Sequence, residues 1–354
     1  MSKIINILKE KKSIPLDQFI SIALYDKKFG YYMKNNPFGK EGDFITSPLI
    51  SNLFGEMLAI WCVAFWEHLG RPSKILLVEL GPGDGTLCQD LLKTFKKFDN
   101  FYNALEINLL EISNKLKSIQ KTKISDKKVK WIKEIKKINY GPVIFLGNEF
   151  FDALPIKQIY KKKKLFFEKY VTLSNDNKKI KFFHKKANGN LMKRIRDLNL
   201  VSKGKTIEYP IEALKFLKII SKKINKFDGG LLAFDYAYTV KKNQNTLQSV
   251  KKHKYSDVLF KPGYSDITSH IDFNCFNEML NRNNLSVKKI TKQNKFLRKI
   301  GILERANILS RKMTFKEKAN MFYRLKRLLD PKEMGDFFKV IFAQKKGKNF
   351  SLGF

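Results

Sequence analysis

Residues 75–87 read ILLVELGPGDGTL, and this stretch limits what the chain can fold into more than any other. Four buried-strand residues, Ile75 to Val78, lead to Glu79. Three glycines follow at alternate positions, Gly81, Gly83 and Gly85, before a helical stretch from Thr86 to Phe95. Strand, tight turn and helix N-terminus in that order open a nucleotide-binding α/β unit. Glycines let the backbone come close to a ligand, and the first N–H groups of the helix face it without partners of their own.

The spacing separates two kinds of cofactor. A dinucleotide fingerprint is G-x-G-x-x-G, built around a pyrophosphate. Here the pattern is E-x-G-x-G-x-G, with an acid at the strand end that would repel a phosphate. A carboxylate there suits S-adenosylmethionine (SAM), which carries a sulfonium and an α-amino group and no phosphate. A plain left-handed turn in an unrelated α/β fold is the competing reading.

Strands and helices alternate beyond this turn. Strands are expected at Asn108–Ile112, Lys128–Ile132, Pro142–Leu146, Leu231–Tyr236, Ser286–Ile290 and Phe337–Phe342. Helices are expected at Ser13–Leu24, capped by Ser13, at Pro48–Leu69, capped by Thr46 or Ser47, and at Ile211–Asn225. Gln158–Tyr160, Leu165–Val171 and Ile180–Phe183 look like short strands joined by lysine- and asparagine-rich turns, a β insertion rather than another βα unit. The pattern predicts an α/β fold with a mostly parallel, doubly wound sheet. Four regions follow: a helical and lid region (1–72), the first half of the core (73–156), a β-rich insertion (157–210) and the second half (211–354). The last few residues read as a short tail.

Composition excludes several classes. A chain of 354 residues with 43% hydrophobic content and 30 Phe can bury a full core. The net charge of +37 comes mostly from lysines scattered among many Asn and Ile, with no recognition-helix, RNP or zinc signature beside them. That pattern fits a genome-wide compositional bias better than nucleic-acid binding. Cys62, Cys88 and Cys275 lie far apart in apolar surroundings and read as reduced thiols. His68, His184, His253 and His270 lack ligand spacing, so no metal site is expected. No signal h-region or membrane-length apolar run is present, and a cytoplasmic (bacterial) location is the expectation.

Chemistry should gather where the strands end. Glu111 closes the second strand, 26 residues after Gly85, where an acid commonly accepts hydrogen bonds from ribose hydroxyls. A solvated acid beside Lys115 is the alternative. The segment Asn148-Glu149-Phe150-Phe151-Asp152-Ala153-Leu154-Pro155 follows the fourth strand, beside the place where a transferred group would lie. Two carboxylates and an amide packed with two phenylalanines could hold a cationic acceptor. Glu149 is the first catalytic candidate, Asp152 the second, and Asn148 supplies the amide; helix capping or a lysine salt bridge is the other role for Asp152. The segment 40–48 has the makings of a lid, in which Asp43 could take the amino group of the cofactor after the turn at Gly42.

Seven motifs then coincide in order. They are GDFITSP (42–48), VELGPGDGTL (78–87), LEIS (110–113), NEFFDALPI (148–156), TLQ (246–248), DITSHIDF (266–273) and DPKEMGDFFK (330–339). Together they resemble the MidA family of class I SAM-dependent methyltransferases, from about Leu16 to Gln344. That family includes the mitochondrial complex I assembly methyltransferase, which symmetrically dimethylates an arginine on a catalytic-arm subunit. The resemblance implies a seven-stranded methyltransferase sheet, with Gly42, Asp43, Ser47, Glu79, Gly81, Gly83 and Glu111 as cofactor contacts and 148–155 as the catalytic edge. Three departures stand out. Leu49 replaces a frequent Glu, Asp84 a frequent Arg, and Asp235-Tyr236-Ala237-Tyr238 the usual D-Y-G-H, so no histidine role carries over there. The implied activity is protein arginine methylation of a complex I (NADH dehydrogenase) subunit. A small-molecule methyltransferase and a non-catalytic assembly factor of the same fold are the alternatives.

Overall fold

A computed structural model describes residues 2–34, 37, 46–176, 179–201, 205–239, 245–251 and 254–354. Its centre is a sheet whose principal strands are β1 (Ile75–Leu80), β2 (Leu105–Leu110), β3 (Val129–Ile132), β4 (Val143–Asn148), β5 (Gly229–Tyr238), β6 (Leu285–Val287) and β7 (Phe338–Lys345). Their order is 6-7-5-4-1-2-3. β5, β4, β1, β2 and β3 run parallel, and β7 is antiparallel to β5 and β6. The chain winds outward from β1 to β3, then returns to place β4 on the other side of β1. Direction therefore reverses between β1 and β4, where an open α/β sheet leaves a crevice at its carboxyl edge.

All six residues of β1 are buried, as expected of a parallel strand covered on both faces. Ile75 and Leu77 point into one layer with Ile107, Leu109 and Phe342, under the helix Asn52–His68. Leu76, Val78 and Leu80 point into the other, with Phe145, Ile341 and the helices Ile211–Phe227 and Phe273–Arg282. By alternation Glu79 shares the face of Ile75 and Leu77. Eleven of seventeen residues in Asn52–His68 are buried, so this helix is a core element rather than an amphipathic surface one.

The β insertion pairs more widely than its sequence indicates. Lys157–Lys162, Leu165–Leu173 and Ile180–Lys186 form an antiparallel sheet with a fourth strand, Thr206–Tyr209. The N-terminal segment Ser13–Pro15 adds a fifth by pairing with Leu165–Leu173. The expected helix at Ser13 therefore begins only at Leu16, because Pro15 is extended and caps it without a side-chain bond. A residue before proline is biased to extended backbone, which fits Ile14 in a strand. Lys157 Nζ, half-buried between Asp17 Oδ1 (2.8 Å) and Glu168 Oε1 (2.5 Å), ties that helix to the insertion.

Three further expectations need correction. The helix expected over Pro48–Leu69 is two, Ser47–Ile50 and Asn52–His68, broken at Ser51. Ser51 takes an extended conformation and accepts the Leu53 N–H at 3.3 Å, so it caps the long helix in place of Thr46 or Ser47. The strand expected at Ser286–Ile290 ends at Val287, and pairing with β7 resumes at Thr291–Lys292. The chain end is no loose tail. Trp61 Nε1 donates to Leu352 O at 3.0 Å, and Phe350 and Phe354 pack against Trp61, Phe296 and Phe342.

One carboxylate sits where helices Asn52–His68 and Thr86–Phe95 meet. A Cβ on Gly55 would lie 2.6 Å from Asp90 Cβ, so the glycine is what lets the helices close. Burial raises the Asp90 carboxyl from 3.8 to about 6, against Lys93 at 3.6 Å. A folded pKa above the unfolded one means stability falls as pH rises between about 4 and 6 and stays lowered above it. Asp90→Asn is therefore expected to stabilise the protein by about 1–2 kcal/mol at pH 7.5 and by almost nothing at pH 4. Denaturant unfolding at the two pH values checks this.

Candidate active site

A cavity of about 1100 Å³ opens at the reversal between β1 and β4. That exceeds the roughly 300–1,000 Å³ of a pocket for one small ligand, leaving room for a donor and an acceptor side chain. Its walls include Gly81 and Gly83 from the turn after β1, Glu111 after β2, and Glu149, Phe150 and Asp152 after β4.

The turn needs its glycines for different reasons. Gly81, Gly83 and Gly85 all have positive φ (+64°, +56° and +86°). A Cβ on Gly81 would also come 2.8 Å from Phe150 Cδ2, so the turn and the post-β4 segment fit only with that side chain missing. Gly85 caps helix Thr86–Phe95, and its absent side chain faces Gln120 and Ile124 of helix Asn114–Lys123. Asp84, where an arginine was the familiar residue, is held by Lys123 Nζ at 2.5 Å.

Glu79 is 3% exposed, and its Oε2 has no hydrogen-bond partner among the described residues. Burial, with Asp84 adding to it, raises its carboxyl to about 8. Glu111 is also buried, and burial raises its pKa. Its two oxygens accept from Ser113 N at 2.7 Å and Gln120 Nε2 at 2.9 Å. A buried acid left without a partner, beside bare backbone, fits a ligand bearing ammonium or sulfonium charge. Phosphate would meet repulsion there.

The post-β4 segment is strained and acidic. Glu149 has φ +53°, a left-handed conformation costly for a residue with a side chain, and is held there by its N–H to Phe234 O on β5 (2.9 Å). That bend turns its carboxylate toward the cavity, where Oε1 accepts from Ser47 N (3.3 Å) and Asn148 Nδ2 (3.1 Å). Burial raises Glu149 to about 7. Asp152 is pushed up similarly, by burial and then by Glu149. Asp235 on β5 joins them: fully buried, its Oδ2 accepts Phe151 N at 2.9 Å, while Oδ1 has no partner among the described residues. Burial and the neighbouring Asp152 raise its pKa well above the usual range.

The candidates are thus partly brought together. Glu149 and Asp152 line the cavity together with Gly81, Gly83 and Glu111, and Asn148 joins them through its bond to Glu149, whereas Glu79 and Gly85 are not part of the lining. Ser47 contributes its backbone N–H to Glu149, while its hydroxyl points at Met334 Sδ (3.9 Å) in the core. Gly42 and Asp43, with most of the expected lid, lie outside the described residues, as does His253. Among the described residues no group of His, Cys, Asp and Glu is placed to hold a metal ion, and no helix is long and apolar enough to cross a membrane.

Sequence reasoning passed over the groups that brace this wall. Tyr25 and Tyr32, ring centroids 5.7 Å apart, bond to Ala153 O (2.9 Å) and Asp266 Oδ2 (2.9 Å). Glu208, on the last strand of the insertion, accepts Thr246 Oγ1–H at 2.6 Å and Gln158 Nε2 at 2.8 Å. The Thr246 oxygen in turn accepts the N–H of His270, whose ring stacks on Tyr236 at 6.0 Å in the cavity wall. This accounts for TLQ and DITSH as motifs: they link the insertion to the cavity. The sequence signal of Thr246 and His270 was membership of those two motifs, to which the sequence attached no role.

Comparisons with known proteins agree with this geometry. Residues 57–291 match the family model described as "Putative S-adenosyl-L-methionine-dependent methyltransferase". The chain is similar to the protein named "Protein arginine methyltransferase NDUFAF7, mitochondrial" of Xenopus laevis, 30% identical over 94% of this chain and 81% of that one. The human protein of the same name is 28% identical over 94% and 80%. The S-adenosyl-homocysteine-bound crystal structure of a Burkholderia thailandensis protein superposes with TM-score 0.83, at 22% identity, over 98% of this chain and 92% of that one. Its fold is that of this chain.

The strain at position 149 gives a direct expectation. Glu149→Gly should raise stability by about 1 kcal/mol at pH 8, because glycine accepts the left-handed backbone and no buried carboxylate remains to ionise. Urea unfolding measures this, and a loss of stability would show that Glu149 is not held against its preference.

Proposed function

The chain belongs to the MidA family of S-adenosyl-L-methionine-dependent methyltransferases, and from that premise we propose that it is a protein arginine N-methyltransferase. The acceptor would be an arginine, in line with the names of its relatives, and by the family resemblance one on a respiratory complex I subunit, carried to symmetric dimethylation. One observation carries the choice of acceptor. Glu149 and Asp152 line one wall with Asp235 buried beside them, and both aspartates are raised first by burial and then by a neighbouring carboxylate. Such a cluster favours a cation that donates several hydrogen bonds, which a guanidinium does in a planar fork.

In this reading Glu79, the turn at Gly81 and Gly83, and Glu111 hold the donor, with Gly42, Asp43, Ser47 and Gly85 supporting it. When bound, SAM supplies a methyl group attached to a positive sulfur. Residues of the chain do the remainder. Glu149, oriented by the Asn148 amide and Ser47 N–H, pairs with the guanidinium and draws its positive charge toward the far nitrogens. The near nitrogen thereby regains lone-pair character. A guanidinium pKa above about 12 means its proton leaves late, and Asp152 and Glu149 are the nearby acceptors. Phe150, packed on Gly81, keeps water from the line of transfer.

Incubation with labelled SAM and the complex I subunits should yield labelled dimethylarginine after hydrolysis. Label on lysine or on a small molecule alone, or no label, would overturn the acceptor assignment. Glu149→Gln should lower turnover about 100-fold or more while donor affinity changes less than about threefold. The raised Glu79 carboxyl gives a pH dependence as well. Its proton must leave before it can pair with a cationic donor, so SAM affinity should rise from pH 6.5 to 8.5. Calorimetry with Glu79→Gln should show that rise abolished.

A further inference from the structure

Helix Asn114–Lys123 buries only two side chains, Leu116 and Gln120. A glutamine is a costly residue to bury unless its amide is fully used. Gln120, completely buried, uses all of it. Nε2 donates to Gly83 O at 2.7 Å and to Glu111 Oε2 at 2.9 Å, while Oε1 accepts the indole N–H of Trp131 on β3 at 2.8 Å. The partners fix the orientation of the amide, because turning it over would set its oxygen against two acceptors. Gly85 makes room for it: a Cβ there would lie 3.3 Å from Gln120 Cγ.

We infer that Gln120 is a positioning residue of the donor site, one amide that sets both the peptide at Gly83 and the carboxylate of Glu111. The inference rests on the reading that the glycine turn and Glu111 hold the donor. Those two groups follow different strands, β1 and β2, whose ends are joined by Gly81 N to Leu110 O (3.2 Å); Asp84 of the turn also pairs with Lys123 on the post-β2 helix, but among the described residues only Gln120 bonds to both Gly83 and Glu111. Through Gln120 their separation becomes a fixed length. Ser113 N on one oxygen and Gln120 on the other, with the Ile112 backbone beside them, hold the Glu111 carboxylate in a set direction. That suits a ligand presenting two adjacent hydroxyls, and it prepays the ordering that a free carboxylate would lose on binding.

The test is calorimetric binding of S-adenosyl-homocysteine to the full chain, with steady-state kinetics alongside. Gln120→Leu should weaken binding about tenfold or more and raise the KM for SAM equally, with kcat at saturating donor within about threefold. Gln120→Glu supplies a readout that packing alone would not move. Its carboxyl can donate only when protonated, so the ratio of this variant's donor affinity to that of the wild type should fall as pH rises from 6 to 8.5. A Gln120→Leu protein binding within about twofold of wild type, or a Gln120→Glu protein with the wild-type pH trend, overturns the inference. Glu111→Ala separates this from the reading beneath it. Weakened binding there beside normal binding in Gln120→Leu removes only the positioning role, whereas normal binding in both removes Glu111 from the donor site.

Discussion

Four carboxylates along one edge of a parallel sheet, three buried and Glu149 half-buried, are the constraint around which this protein is arranged. Glu79 ends β1, Glu111 follows β2, Glu149 follows β4 and Asp235 lies near the end of β5. Burial raises the pKa of each. Free energy that could have gone into an apolar core is committed to holding acids away from water. Such an arrangement is useful when the ligands bring positive charge. A sulfonium donor with its ammonium group meets that need, and in the proposed function a guanidinium acceptor would do so as well.

The scaffold explains why the acids converge. Parallel strands put all their carboxyl ends on one edge, and the reversal between β1 and β4 sets two loops side by side there. Two apolar layers fix those strands, so the loops begin from rigid points. The N-terminal helix and the β insertion then close the cavity beside the post-β4 segment. Lys157 clamps them through Asp17 and Glu168, and Tyr25 reaches Ala153 within that segment. Glu208, Thr246 and His270 add a second brace from the insertion. The elements outside the sheet thus act on the cavity wall through these polar contacts as well as by apolar packing, in which Ile159 and Ile207 of the insertion join Phe151 and Leu154.

Local chemistry was legible where it was self-contained. The helix Thr86–Phe95 has the limits expected of it, and β1, β3, β4 and β5 fall within two residues of expectation at each end, since apolar runs bounded by glycine or proline carry their own punctuation. β2 was placed about three residues late, because Leu105-Glu106-Ile107 alternates and only pairing with β1 shows it as strand. Ser51 as a cap and Ser13–Pro15 as a strand were hidden for a similar reason: each depends on a partner distant in sequence or on a break that no glycine announces. Asp235 and Gln120 are the instructive omissions at the site. Asp235 looked like part of a core strand, and Gln120 sits in KLKSIQKTK, where nothing separates a hub from a solvated face. Their importance comes from tertiary placement alone.

A crystal structure of the protein with S-adenosyl-homocysteine bound tests the account most directly. It predicts the sulfur between the Gly81–Gly83 turn and Glu149, the ligand's ammonium group bonded to Glu79 or its immediate surroundings, and the ribose hydroxyls on Glu111. A ligand lodged elsewhere in the cavity, with Glu79 Oε2 still unpartnered and Glu111 untouched, would contradict it.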